Sequence, residues 1–392
     1  MPKINTQPYL ILELIGISGE VNSDSIYMIH PSHVYTRKML SMLKNEDLIK
    51  LHTGKNLRGY RLTLKGKKLL LNNSPERFAT ALSDAAETNR IKSEVTRRLR
   101  LQKIAEIYIT MRNAHIPIFL DEKPLVFYPD SGGSAVVQPF SAVAQPRSAV
   151  VQPLSAVVQP LSAVNSAFYS SREFKDIGGE MMKIKNARSV GVLLTRKDIF
   201  MIYNTAEFQM KWNVKSELRA KAILKHYLTQ IRAMRQYDNT EIKAIVFGSD
   251  MEIAYKFLTN TSKNYFMLDS SFQNFYFFSL DSRGETLTKL ISSEAKHKAL
   301  NATLSTDLLP PNAKLLMEND ALDKDGNPVL FNYFFDLPRL ARFNTALEIH
   351  DRQGTVICFD YQKPVMEKYC GNKISFQTID AGKFERRFFS ES

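Results

Sequence analysis

Two groups of residues in this 392-residue chain have the types and spacing to do chemistry. The first is acidic. The run CFDYQK places Asp360 and Lys363 at the end of a strand-like stretch. A carboxylate with a lysine close by is what a metal-dependent nuclease uses to hold a cation and orient water for attack on a phosphodiester. Asp360 and Lys363 are therefore the catalytic candidates, and Glu217 with Lys221, Asp336 and Glu348 are the other carboxylate positions to weigh. A plain cap on the strand end competes with that reading, because no second acidic motif stands at a telling spacing from Asp360. FGSD at 247–250 offers a helix N-terminus to an anion but lacks the spacing of dinucleotide or triphosphate loops, and it reads as a cap. His226, His297 and His350 are scattered, with no HxH or HExxH, so neither a metal site nor a cofactor is expected.

The second group is basic. Residues 31–68 carry ten lysines and arginines (37, 38, 44, 50, 55, 58, 61, 65, 67 and 68) against Glu46 and Asp47, a local charge of +8 within a chain of +13. Such a concentration points to a polyanion. Ser32, His33, Tyr35 and Thr36 are small polar or aromatic groups able to reach base edges. Arg37, Lys38, Lys55 and Arg58 would neutralise phosphates, with Asn56 beside them in a turn.

The elements that must position these groups follow from local pattern. TQPYLILELIGI has apolar residues at helical spacing after Thr6, with Gly16 and Gly19 closing it, and SDSIYMI follows as a short helix capped by Ser23 or Asp24. A third, amphipathic helix lies in PSHVYTRKMLSMLKNEDLIK. Val34, Met39, Leu40, Leu43 and Leu48 form its inward stripe, and His33, Thr36, Arg37, Lys38 and Lys44 are left outside. LIKLHT and YRLTL read as strands joined by GKNLRG, and KGKKLLLNN begins another helix. Three helices and a basic hairpin describe an α+β winged helix-turn-helix over residues 1–73, whose third helix enters the major groove while the hairpin touches neighbouring backbone. A winged helix used for protein contact is the competing reading.

The run from Leu40 to Leu70 resembles winged-helix regulators of the MarR and PadR type. In these an acidic or glycine residue followed by Leu-Ile ends the recognition helix, here Asp47, Leu48 and Ile49, and Tyr-x-Leu-Thr-x-x-Gly ends the wing, here Tyr60, Leu62, Thr63 and Gly66. With a larger α/β region behind it, the chain also loosely resembles the replication-relaxation proteins of Gram-positive plasmids and conjugative elements. That resemblance implies action at the origin of a plasmid or other mobile element.

Residues 74–115 read as a helical connector in which Arg97, Arg98, Arg100 and Lys103 form a solvated face, with an extension of the DNA footprint as the alternative. Residues 116–392 read as an α/β domain with a mixed sheet. IPIFLDEKPLVFY is expected as a strand pair, SVGVLLTRKDIFMIYNT as a hairpin, KSELRAKAILKHYLTQIRAM as a helix and EIKAIVFGSDMEIAYKFL as strand, turn and helix. YFMLD and NFYFFSL follow as strands and GETLTKLIS as a helix; a helix pair, a strand-to-helix unit and an edge strand, KISFQTID, complete the domain. Residues 131–164 interrupt it with a seven-residue unit starting at Ser134, Ser141, Ser148, Ser155 and Ser162. Pro139, Pro146, Pro153 and Pro160 recur once per unit and refute a coiled coil, so a disordered surface loop is expected whose deletion is tolerated.

Cys358 and Cys370 are too few for a disulfide framework, and neither a leader nor an apolar run long enough to cross a bilayer is evident, so a cytoplasmic location away from membranes is expected. The preferred function is sequence-specific binding of double-stranded DNA by a homodimer whose C-terminal domain makes protein contacts. A metal-dependent nuclease or relaxation factor and a ligand-responsive transcriptional regulator are the alternatives.

Overall fold

The computed structural model describes residues 1–82, 94–127, 166–175, 177, 184, 187–206, 210–263, 265–266, 268, 271–312, 315 and 317–389. The repeat at 131–164 lies outside the described residues. The fold is mixed α/β, and the chain divides into two compact units: Met1–Lys183 with Tyr227–Arg235, and Ile184–His226 with Gln236–Ser392.

The first unit is built around α1 (Gln7–Ser18), buried on nearly every side and ended by Gly19 in the left-handed conformation. A helix this apolar all round belongs inside a core. β1 (Val21–Asn22), a single 3-10 stretch at Ser25–Ile29, α2 (His33–Asn45), β2 (Ile49–Gly54), β3 (Leu57–Leu62) and α3 (Leu64–Asn73) follow. The strands form one antiparallel sheet in the order β1–β3–β2. α4 (Pro75–Leu82) and α5 (Val95–Asn113) continue the chain, and β4 (Ser166–Ser170) and α6 (Ser171–Phe174) resume beyond the repeat.

The expected strand pair at 116–128 is not formed. Its described residues run as irregular chain with a 3-10 turn at Leu120–Glu122, because Pro117 and Pro124 have no amide to give a ladder. The segment belongs to the first unit, not to the second domain. Phe119 packs edge-on against Phe78, Arg77 forks onto Asp121, and buried Lys123 donates to the carbonyls of Ile118 and Phe168.

In the second unit β5 (Gly191–Thr195) and β6 (Ile199–Ala206) form the expected hairpin. α7 (Val214–Gln230) leads to β7 (Ile242–Gly248), α8 (Glu252–Thr259) to β8 (Phe275–Ser279), and β6, β7 and β8 run parallel. The described residues of YFMLD contribute only an isolated bridge at Tyr265. α9 (Ser282–Ser292) and α10 (Glu294–Leu304) precede a second sheet of β9 (Ala321–Leu322), β10 (Pro328–Phe331), β11 (Gly354–Phe359) and β12 (Ile374–Ile379). Its order is β12–β11–β10–β9, so KISFQTID takes the expected edge. α11 (Leu337–Ile349), α12 (Lys363–Tyr369) and α13 (Ala381–Phe389) connect and close it. Of LFNYFF only Leu330 and Phe331 lie in a strand, at the end of β10, and the rest turns into α11 at Leu337, so it is not part of a helix.

Candidate nucleic-acid interface

Ser32 caps α2, its hydroxyl accepting from the Tyr35 amide at 3.3 Å. Two ring contacts hold the start of the helix: His33 lies 5.2 Å from Tyr27, and Tyr35 lies 4.9 Å from His30. The buried face is Thr36, Met39, Leu40 and Leu43. Thr36 is thus a correction to the expected base-reading set, being 0% exposed with its hydroxyl donated to the Ser32 carbonyl at 3.2 Å. Val34, expected inside, is 65% exposed. The turn of 3.6 residues explains the exchange: positions 36, 40 and 43 share a side, and 34 falls opposite. The outermost line is then Val34, Lys38, Ser41 and Asn45, all exposed, with Arg37 and Met42 on its flanks. Val34, Ser41 and Asn45 were not among the expected contact residues; the helix phase puts them on this line.

The hairpin is tighter than GKNLRG suggested. Gly54 pairs with Leu57, leaving Lys55 and Asn56 as a two-residue turn with φ of 51° and 62°. Positive φ at both positions is the type I′ geometry that matches strand twist. Lys55 and Asn56 sit exposed at the tip, with Arg58 exposed one step into β3. Arg58 shares a sheet face with Tyr60, two residues on, and Lys44 of α2 lies over the Tyr60 ring at 5.1 Å. Helix and hairpin charges therefore meet on one side of the sheet.

The residues of the wing signature join α2 to the hairpin and to α3. Asp47 takes φ of 56° to turn the chain out of α2, and Leu48 drops into the core. The Thr63 amide donates to the Leu48 carbonyl at 3.0 Å, its hydroxyl donates to the Asp47 carbonyl at 2.5 Å, and the same oxygen caps α3 by accepting from the Gly66 amide. A Cβ on Gly66 would stand 2.2 Å from the Leu48 oxygen, so only glycine lets the two backbones approach this closely.

The opposite face of the sheet is held by a buried cluster that pattern reading placed in solvent. Arg98 is 1% exposed. Its guanidinium donates to Glu20 at 2.9 Å and to the carbonyls of Gly54 at 2.7 Å, His52 at 3.1 Å and Leu57 at 3.1 Å, gripping both sides of the turn. Glu20 also accepts from Arg61 at 2.7 Å and Gln102 at 2.7 Å. Burial works against the Glu20 carboxylate, but the bonds from Arg98 and Arg61 outweigh it and hold its pKa below the ordinary value.

Of the ten basic residues at 31–68, Arg61 and Lys67 are buried and the other eight are exposed. Among the described residues no carboxylate pairs with Arg37, Lys38, Lys50, Lys55, Arg58 or Lys68. The arrangement can hold a polyanion along α2 and the hairpin.

The acidic candidates are not assembled. Asp360 is exposed at the end of β11, where its Oδ1 accepts from the Tyr361 amide, and Lys363 pairs with Glu367 at 3.3 Å. Glu217 is buried, accepts from the Arg188 amide at 2.7 Å and the Tyr203 hydroxyl at 2.9 Å, and is pushed up in pKa by burial. Lys221 instead reaches Glu241 at 3.3 Å. Asp336 caps α11, and burial pushes its pKa up to about 6. In the FGSD turn Asp250 accepts from the Glu252 amide at 3.0 Å. Among the described residues no three His, Cys, Asp or Glu side chains stand together as metal ligands, and no helix is long and apolar enough to cross a membrane.

No protein-family model matches the chain, and neither does any curated protein or solved structure.

Proposed function

We propose that residues 1–73 form a winged helix that binds double-stranded DNA, α2 entering the major groove and the β2–β3 hairpin lying on the flanking backbone. The observation that carries this reading is the set of exposed, carboxylate-free cations on α2 and the hairpin, on a sheet whose other face is clamped by Arg98. Arg37, Lys38, Lys55 and Arg58 contact phosphates. His33 and Tyr35, fixed by their ring contacts, and Val34, Ser41 and Asn45 on the outermost line face base edges, Val34 suiting a thymine methyl and Asn45 an adenine edge. Ser32 acts through the start of the helix, since its hydroxyl is committed to the cap.

The test is fluorescence anisotropy of the full chain with labelled duplex over a range of salt. Each phosphate contact contributes about 0.9 to the slope of log K against log salt, so Arg37→Ala, Lys38→Ala and Arg58→Ala each lower it by about one. Asn45→Ala relaxes sequence preference and leaves the slope unchanged. Failure of any duplex to associate in dilute buffer would end the proposal. The link to a plasmid or other mobile element rests on the sequence resemblance, and sequencing of genomic fragments captured by the chain reads it out. The nuclease alternative is not taken forward, since its carboxylates and lysines are committed to separate partners.

A further inference from the structure

A second site lies in the second unit. A groove of about 760 Å³ opens at the start of α7, walled by Lys211, Trp212, Asn213, Lys215, Lys263 and Tyr265. A bridge between Lys211 and Tyr265, and the Phe266 amide donated to the Met210 carbonyl at 2.9 Å, bring its two walls together. Lys211, Lys215 and Lys263 are all exposed, and among the described residues none has a carboxylate partner. Asn213, which accepts from the Ser216 amide at 3.1 Å, lines the groove together with Val214 and Lys215, the first residues of a 17-residue helix, so the positive end of that helix borders it. Trp212 is 7% exposed, its ring seated on Phe266 at 5.0 Å, yet its indole Nε1 is buried without an acceptor. An orphaned buried donor costs free energy that an incoming oxygen recovers.

We propose that this groove binds a nucleoside polyphosphate. Three ammonium groups and a helix N-terminus suit a multiply charged phosphate chain, with lysine acting as a point charge. The volume falls within the range of small-molecule sites, about 300–1,000 Å³. Half-buried Tyr265 offers a ring face to the base, and a ligand oxygen becomes the acceptor for Trp212 Nε1. The charges converge on one groove instead of forming a track, which favours a free nucleotide over a strand.

Trp212 is the one tryptophan of the chain, so its emission reports on the groove itself. The full chain is titrated with adenosine triphosphate, inorganic triphosphate and a single-stranded oligothymidylate. The expected result is a saturable change with adenosine triphosphate, weakened at least about tenfold by Lys211→Ala with Lys263→Ala. These lysines are exposed, so the variant is expected to keep the native circular dichroism. No saturation, an unchanged response in the double variant, equal affinity for inorganic triphosphate, or saturation by the oligonucleotide alone would overturn the assignment. None of these outcomes depends on whether α2 binds duplex.

Discussion

Replacing Arg98 with alanine tests whether the β2–β3 hairpin is held in place by a buried ion pair. The side chain reaches Glu20 and three hairpin carbonyls. Breaking a buried pair costs about 3–5 kcal/mol when the surviving charge is left alone. Glu20 is not left alone, because Arg61 and Gln102 still donate to it, which puts Arg98→Ala at the lower end. The carbonyls of His52, Gly54 and Leu57 belong to half-buried residues that water can reach, adding about 0.5 kcal/mol each. The total is about 4.5 kcal/mol, or roughly 9–18 °C in the melting temperature of a unit this size. Glu20→Ala is worse, since it strands two buried guanidinium groups. Arg97→Ala, one residue away on a side chain 57% exposed, costs less than about 0.5 kcal/mol. Calorimetric melting supplies the ranking, and hydrogen exchange locates it, with protection lost first at the β2–β3 amides. If Arg98→Ala melts no earlier than Arg97→Ala, or the hairpin amides keep their protection, the clamp is not what orders the hairpin.

Three further outcomes follow from the same geometry. Gly66→Ala forces its methyl against the Leu48 carbonyl and is expected to destabilise the first unit by about 1–3 kcal/mol, measured by denaturant titration. Lys55→Asn with Asn56→Gly supplies the residues a type I′ turn prefers; it is expected to raise the melting temperature while lowering the salt slope of DNA binding by about one. Asp336 makes the second unit pH-dependent. Its folded pKa of about 6 lies above the unfolded value, so its contribution is fully present below about pH 4 and is lost as pH rises through 6, by roughly 2–3 kcal/mol. Asp336→Asn should abolish that part of the stability–pH curve, and an unchanged curve would refute the assignment.

Local pattern carried much of this molecule. The hairpin of β5 and β6, the β7–α8 step, the amphipathic α2 and the β2–β3 hairpin were all legible, because each is specified by neighbours within a few turns of chain. Lys55 and Asn56 could be located between two strands, although their positive φ values set a shorter turn than the glycines around them implied. The errors have a common cause. Thr36 looked outward by chemistry and faces inward, where its hydroxyl finds the Ser32 carbonyl and costs nothing to bury. Residues 116–127 alternate like strands, but their prolines and their packing against α4 and β4 leave them irregular.

What the sequence determined by itself was the concentration of charge at 31–68 and the elements that carry it, since periodicity, turn residues and composition are properties of short stretches. Only the tertiary structure decided which charges remain free. Arg98 reads like Arg97 and Arg100 beside it, yet it is buried because Glu20, 78 positions earlier, stands where its guanidinium ends. A buried cation needs its counter-charge in place, and whether that partner is present depends on how distant segments pack.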